Sequence, residues 1–143
     1  MSSQTNTATE TLRTLHRIHR QLTDLRNRLR RGPQLVRAHE ANLKRCADEL
    51  AQRQERAKRA RVACDAKQGQ LRDGEEKIKK TQNQLNTAAS NREYQLLKEQ
   101  IAATEMANSV LADEIIEGLE GVDQCAQLVA EAEAQLEKAK VQC

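Results

Sequence analysis

The chain has 143 residues, with 24 Lys and Arg against 21 Asp and Glu, one Tyr, and neither Phe nor Trp. This composition of helix-forming residues with almost no aromatic side chains excludes a thick layered core and favours long helices packed along seams. One Pro and five scattered Gly are too few for the turns of a sheet protein, so we expect an all-α fold.

The N-terminal end is polar and contains no apolar signal segment, so residues 1–9 are predicted to form a flexible tail. No apolar run reaches the roughly 20 residues that cross a bilayer. We therefore expect a cytoplasmic protein with no membrane partner. The four cysteines lie in helical patterns without a CxxC, which favours buried thiols over a redox or metal role.

A first helix is predicted over residues 10–31. Thr7 and Glu10 have the spacing of a capping box, and apolar side chains then recur every three or four residues at Leu15, Ile18, Leu22, Leu25 and Leu29. Gly32-Pro33 predicts an interruption, because Gly favours a helix end and Pro lacks a hydrogen-bond donor. The dipeptide leaves open whether the chain reverses there or only kinks.

The first helix also carries a row of arginines, Arg13, Arg17 and Arg20, on the face away from the leucines. Residues 10–31 hold seven Arg against two acids. We predict that this helix is a docking arm for an acidic partner. The alternative is an arginine row that is merely solvated.

Residues 33–143 are predicted to form a helical hairpin with its turn near 89–92. After Pro33 an almost entirely apolar series repeats every seven residues, and a second apolar pattern runs to the C-terminal end. The first series comprises Val36, Leu43, Leu50, Ala57, Cys64, Leu71, Ile78 and Leu85, and the second runs in steps of three and four from Tyr94 to Cys143. Ser90 and Glu93 have capping-box spacing between them. The fold class is therefore a long antiparallel coiled-coil hairpin with a shorter N-terminal helix.

Size complementarity suggests the register of this hairpin. Placing Cys64 opposite Gly118 and Leu43 opposite Ala139 brings large side chains against small ones, as a densely packed interior requires. Residues 33–88 carry a charge of +5 and residues 94–143 a charge of −7, which also favours pairing of the two helices. Arg53, Lys67 and Asn108 fall on the core rows, where they either fix the register or extend their polar ends to solvent.

The segment Asn91-Arg92-Glu93-Tyr94, with the residues around it, resembles the hairpin turn of bacterial coiled-coil proteins that end in a C4 zinc ribbon. The acidic segment 113–120 and the Gly32-Pro33 break match that family as well. The resemblance implies a regulator or adaptor of flagellar or type III secretion gene expression, associated with a sigma factor and in some cases with RNA. The two CxxC pairs of the ribbon are absent, so zinc binding is not carried over.

We expect a protein-binding adaptor or regulator without enzymatic activity or cofactor. The sequence has no nucleophile with a base, no phosphate-binding Gly loop, and only His39 and Cys143 as a weak metal pair. Asn91 and Arg92 at the hairpin tip are candidate partner-binding residues. The alternative is a purely structural tip, in which Ser90 and Glu93 cap the helix and Tyr94 closes the last core layer. Nucleic-acid binding, as to RNA, through the basic half is the alternative function, since residues 1–64 carry +9. Homodimerisation stays open.

Overall fold

The computed structural model describes residues 1–142 as two helices that pack against each other. Helix α1 spans Ser2–Asn86 and helix α2 spans Asn91–Val141, and the described residues contain no strand. The expected all-α class is confirmed. The described chain divides into two compact units, one formed by residues 1–45 with residues 139–142, the other by residues 46–138.

Two boundaries of α1 differ from those that the sequence suggested. Residues 2–9 are helical, and Thr7 does not cap the helix, because its hydroxyl donates to the Ser3 carbonyl at 2.6 Å inside the first turns. Other threonines of this segment bond in the same way four residues back. Threonine hydroxyls can donate hydrogen bonds to carbonyls within their own helix, so a polar threonine-rich segment is compatible with a helix.

The interruption predicted at Gly32-Pro33 does not end the helix, and the chain does not reverse there, since α1 continues through Pro33. A Gly-terminated helix end requires a left-handed Gly, and no Gly among residues 1–142 has a positive φ. Pro33 has no N–H to donate to the Leu29 carbonyl and its ring crowds that carbonyl, and the two effects together cost about 3 kcal/mol within a helix interior. The rest of the helix on both sides is retained, so no separate helix of residues 10–31 exists.

The connection between the helices consists of residues 87–90, and α2 begins at Asn91. The Ser90 hydroxyl accepts a bond from the Glu93 backbone N–H at 3.2 Å, the first half of the expected capping box. The Glu93 carboxylate accepts from the backbone N–H of Ala89 at 3.3 Å, one residue before the position that a standard box uses. These two bonds satisfy orphan donors where the chain turns.

The predicted core rows are the buried rows of both helices. On α1, every member of the seven-residue series from Leu43 to Leu85 is buried or partly buried, and on α2 the same holds from Leu97 to Ala139. The deepest side chains include Cys64, at 4% exposed, and Ala132, at 2%. The two outer members, Val36 and Tyr94, are exposed instead. The seam therefore lacks the two outermost layers that the pattern predicted, one at Val36 and one at Tyr94.

Candidate functional site

The N-terminal part of α1 carries an apolar row that no part of residues 1–142 covers. Its five side chains, 43% to 75% exposed, are Leu15, Ile18, Leu22, Leu25 and Leu29, hereafter the N-terminal apolar row. Leu12 beside it is also exposed. An exposed row of this length on one helix face is characteristic of a surface that binds another helix.

The N-terminal apolar row is in phase with the buried seam further along the same helix. Leu29 lies seven residues before Val36, which begins the series that continues through Leu43 to Leu85. Because α1 is unbroken at Gly32-Pro33, the seven-residue spacing keeps Leu29, Val36 and Leu43 on one face of the helix within residues 1–45. Sequence reasoning missed this continuity because it stopped the count at the expected helix break.

Burial along this seam changes where α2 ends. In the unit that contains residues 1–45, His39, Asn42 and Leu43 are partly buried, whereas all residues before His39 except Gly32 are exposed. The C-terminal end of α2 supplies Ala139, which is 4% exposed, and the helix ends at Val141. The apolar row is therefore the part of the α1 seam for which α2 provides no cover.

The arginine row lies on the same stretch of α1 but on another face. Arg13, Arg17 and Arg20 are all exposed, and within residues 1–142 none of them forms an ion pair. The nearest charged pair on this stretch joins Arg28 to Asp24 at 3.2 Å. The structure therefore brings the three predicted docking residues together as a helix face with unneutralised positive charge.

Within residues 46–138, cationic side chains of α1 reach across to α2. Arg53 donates from Nη1 to the Leu128 carbonyl at 2.9 Å and from Nη2 to Glu49 Oε1 at 2.8 Å. Lys67 Nζ lies 3.4 Å from Glu114 Oε2. Both cations occupy core-row positions and extend their charged ends to polar partners at the edge of the seam. The contacts join the basic helix to the acidic one, as the charge distribution predicted.

Two glycines on core rows accommodate side chains of the opposite helix. A methyl group at Gly118 would lie 3.5 Å from Cys64 Sγ, so the predicted facing pair of Cys64 and Gly118 is confirmed. Gly74 abuts Asn108, whose side-chain amide occupies the space that a methyl group at Gly74 would need. The Asn108 side chain therefore fits only because the residue opposite it, Gly74, has no Cβ.

A shallow groove of about 380 Å³ lies between the two helices within residues 46–138. Its apolar lining is contributed by small and β-branched side chains, namely Ala57, Val62, Val122, Ala126 and Val129. The polar side chains around it include Lys58, Arg61 and Asp65. No motif in the sequence indicated this groove, because its lining residues combine core positions with exposed ones.

The hairpin tip presents the two residues that the sequence named. Asn91 is the first residue of α2, Arg92 follows it, and both are exposed. Tyr94 does not close a core layer as expected; it is 36% exposed, and Lys98 Nζ lies 5.3 Å from its ring centroid. The two tip residues belong to the unit of residues 46–138, whereas the arginine row belongs to the other unit.

Residues 1–142 contain no group of three or more His, Cys, Asp or Glu side chains arranged to hold a metal ion. His39 Nε2 is buried without a hydrogen-bond partner in this part of the chain, and Cys143, its suggested neighbour, lies outside the described residues. Cys46 and Cys64 are buried free thiols, as expected, and Cys125 is a partly buried one. Over the same residues, neither helix contains an apolar stretch that could span a bilayer.

Comparison with known proteins found no matching protein family, no matching curated protein and no matching solved structure.

Proposed function

We propose that the chain is an antiparallel coiled-coil hairpin that acts as a protein-binding adaptor without enzymatic activity. The cross-helix contacts support the antiparallel arrangement, because partners on α2 descend in number as residues on α1 ascend. Arg53 bonds to Leu128, Cys64 contacts Gly118 and Gly74 abuts Asn108. The seven-residue spacing of the buried rows supports the coiled coil.

The observation that carries the binding function is the exposure of the N-terminal apolar row. Fully burying a Leu or Ile side chain contributes roughly 1.5–3 kcal/mol, so covering five side chains that are about half exposed contributes about 1 kcal/mol each. A second helix laid along this face gains that free energy without rearranging the seam further along α1. The surface therefore suits a helical partner better than a small ligand.

Helix stability supports the same proposal. The segment before His39 is helical although its side chains are almost all exposed, and it contains Gly32 and Pro33. A helix without a packed face is marginal in water, because most helical stability in proteins comes from burying an amphipathic face. A bound partner would supply that packing.

The arginine row adds a preference for acidic partners. Its three side chains have no acidic neighbour with which they pair in residues 1–142, and they point away from the apolar row. A partner that covers the leucines leaves these cations accessible to a second acidic surface. Such an interaction between solvated charges weakens as salt is added.

Photo-crosslinking in the native cells tests the proposal. Leu22→p-benzoylphenylalanine places a photoreactive group in the middle of the N-terminal apolar row. Irradiation is expected to give covalent adducts with protein, identified by mass spectrometry. The matched control is Asn27→p-benzoylphenylalanine, because Asn27 lies five residues further, about 140° around the helix.

Adducts at position 22 with little adduct at position 27 support binding through the row. Absence of protein adducts at position 22, or equal adducts of the same protein at both positions, contradicts it. A different protein captured at position 27 alone reflects the arginine row, on whose face Asn27 lies.

Nucleic-acid binding is a second candidate, favoured by the charge of +9 on residues 1–64 and by the exposure of the arginine row. Phosphate contacts of this kind are largely independent of base sequence, and the chain has no Phe or Trp for stacking bases. Nuclease treatment before irradiation distinguishes the two. Adducts at position 22 that require intact RNA favour nucleic-acid binding.

A role in secretion or flagellar gene expression, or an association with a sigma factor, is a narrower proposal. Its support is the resemblance of the Asn91-Arg92-Glu93-Tyr94 turn to the zinc-ribbon coiled-coil proteins. Asn91 and Arg92 are exposed and available to a partner at that tip. Asn91→Ala with Arg92→Ala should weaken a tip-dependent partner while leaving adducts at position 22 unchanged.

A further inference from the structure

We propose that the partner of the N-terminal apolar row is a second copy of this chain, bound antiparallel through the same row. This inference rests on the proposed function, because both require the row to bind a protein. It adds the identity of the partner and the register in which the two copies meet.

The first argument is that the row is complementary to itself in the antiparallel direction. If two copies cross with their midpoint at Arg20, Ile18 of each copy lies opposite Leu22 of the other, and Leu15 lies opposite Leu25. Every one of these side chains is exposed in the single chain. Antiparallel coiled coils bury their two core rows against each other in this way, and an interface of two equivalent patches closes as a dimer.

The second argument is that the row is free of α2. Burial of the α1 seam by its own α2 begins at His39. The side chains that the alignment pairs all precede His39, and Leu29 of each copy lies opposite Thr11 of the other. A second copy can therefore occupy this exposed part of the seam without competing with α2.

The third argument is that the alignment creates no like-charge pair beside the row. Residues that flank the core row pair with residues slightly offset from the core layers. On one side of the seam, Arg26 of one copy lies near Leu12 of the other, and the His19 side chains of the two copies lie near each other. On the other side Arg28 meets Thr14, and Gln21 meets its counterpart. The arginine row lies on the outer face of both helices, so its charge does not oppose the dimer.

Sedimentation equilibrium of the full chain tests the dimer first. The expected mass is twice the 16.1 kDa of one chain, with dissociation on dilution. A mass of one chain at every concentration up to about 100 μM overturns the inference. The dissociation constant of the dimer would then exceed about 100 μM, which is weaker than the micromolar affinity of specific complexes. In that case protein adducts at position 22 would still support the proposed function with a different partner, whereas their absence would remove both.

A charge-pair exchange tests the register. Leu15→Glu and Leu25→Lys are made in separate chains, and each variant alone is expected to dissociate at least tenfold more readily than the wild type. Mixing the two restores a heterodimer, because Glu at 15 of one chain meets Lys at 25 of the other. In a parallel dimer each single variant places like charges opposite each other, so mixing relieves that repulsion without forming an ion pair. The orientations are separated by Leu15→Glu and Leu25→Lys combined in one chain, which dimerises through two ion pairs if antiparallel and is opposed by two like-charge contacts if parallel.

Asn27→Glu, on the outer face, is the matched control and should dimerise as the wild type does. Circular dichroism of each variant checks that the hairpin itself is folded, since Leu15 and Leu25 are exposed in the single chain and do not contribute to its seam. Dimers that tolerate Leu15→Glu, or single variants that dissociate without rescue on mixing, overturn the antiparallel register.

Discussion

Gly74→Ala is expected to destabilise the chain although alanine is the better helix former. A methyl group at Gly74 would overlap the side-chain amide of Asn108, whose Cγ and Nδ2 would lie 2.9 and 3.1 Å from it. Because both amide branches are affected, rotation about the last torsion does not relieve the overlap. Overpacking of this kind costs roughly 1–3 kcal/mol and outweighs the gain of about 1 kcal/mol in helix propensity.

Gly69→Ala is the matched control, because nothing lies within 4 Å of a methyl group there. It should gain about 1 kcal/mol, so the two variants should differ by roughly 1–3 kcal/mol in urea unfolding followed by circular dichroism. Asn108→Ala should remove most of the penalty in the double variant with Gly74→Ala. If Gly74→Ala stabilises the chain as much as Gly69→Ala, the tight packing of the Asn108 amide against Gly74 is wrong.

Three further predictions concern the turn, the seam edge and the arginine row. Ser90→Ala removes the acceptor of the Glu93 N–H and should lower the free energy of unfolding by about 1 kcal/mol, whereas Ser90→Asp should retain it; urea unfolding measures both. A double-mutant cycle on Lys67 and Glu114, each about 40% exposed, should give a coupling below about 1 kcal/mol that falls with salt. Reversing the three charges of the arginine row to Glu should leave helicity unchanged in circular dichroism but weaken binding of an acidic partner at low salt, and undiminished binding would remove the row from the interface.

The sequence predicted the seam well because its signal is local and periodic. Rows such as Leu43 to Leu85 repeat without a gap. The complementary volumes of Cys64 and Gly118 predicted from the sequence that the two residues face each other, as they do. The prediction of a break at Gly32-Pro33 was wrong, and the reason is also physical. A proline removes one hydrogen bond and crowds one carbonyl, whereas a helix that is bonded on both sides of it retains its other hydrogen bonds.

The candidate site could be predicted only in part. The arginine row and the leucines were visible as helix faces, but their exposure depends on where α2 ends relative to His39, which no local pattern contains. The groove beside Val122 and Ala126 gave no signal either, because it is formed by two helices that are distant in sequence. Asn91 and Arg92 were placed at the tip by the capping-box spacing of Ser90 and Glu93 between the two apolar patterns.

Amide hydrogen exchange of residues 12–29, measured over a dilution series of the purified full chain, tests most directly the claim that a second copy covers the N-terminal apolar row. At high concentration their protection should approach that of residues 53–81, which lie in the packed seam. It should fall on dilution while protection of 53–81 stays constant, because an uncovered helix opens readily. Protection of residues 12–29 that stays low up to the highest concentration, or that is high in a sample whose mass is that of one chain, would contradict the account.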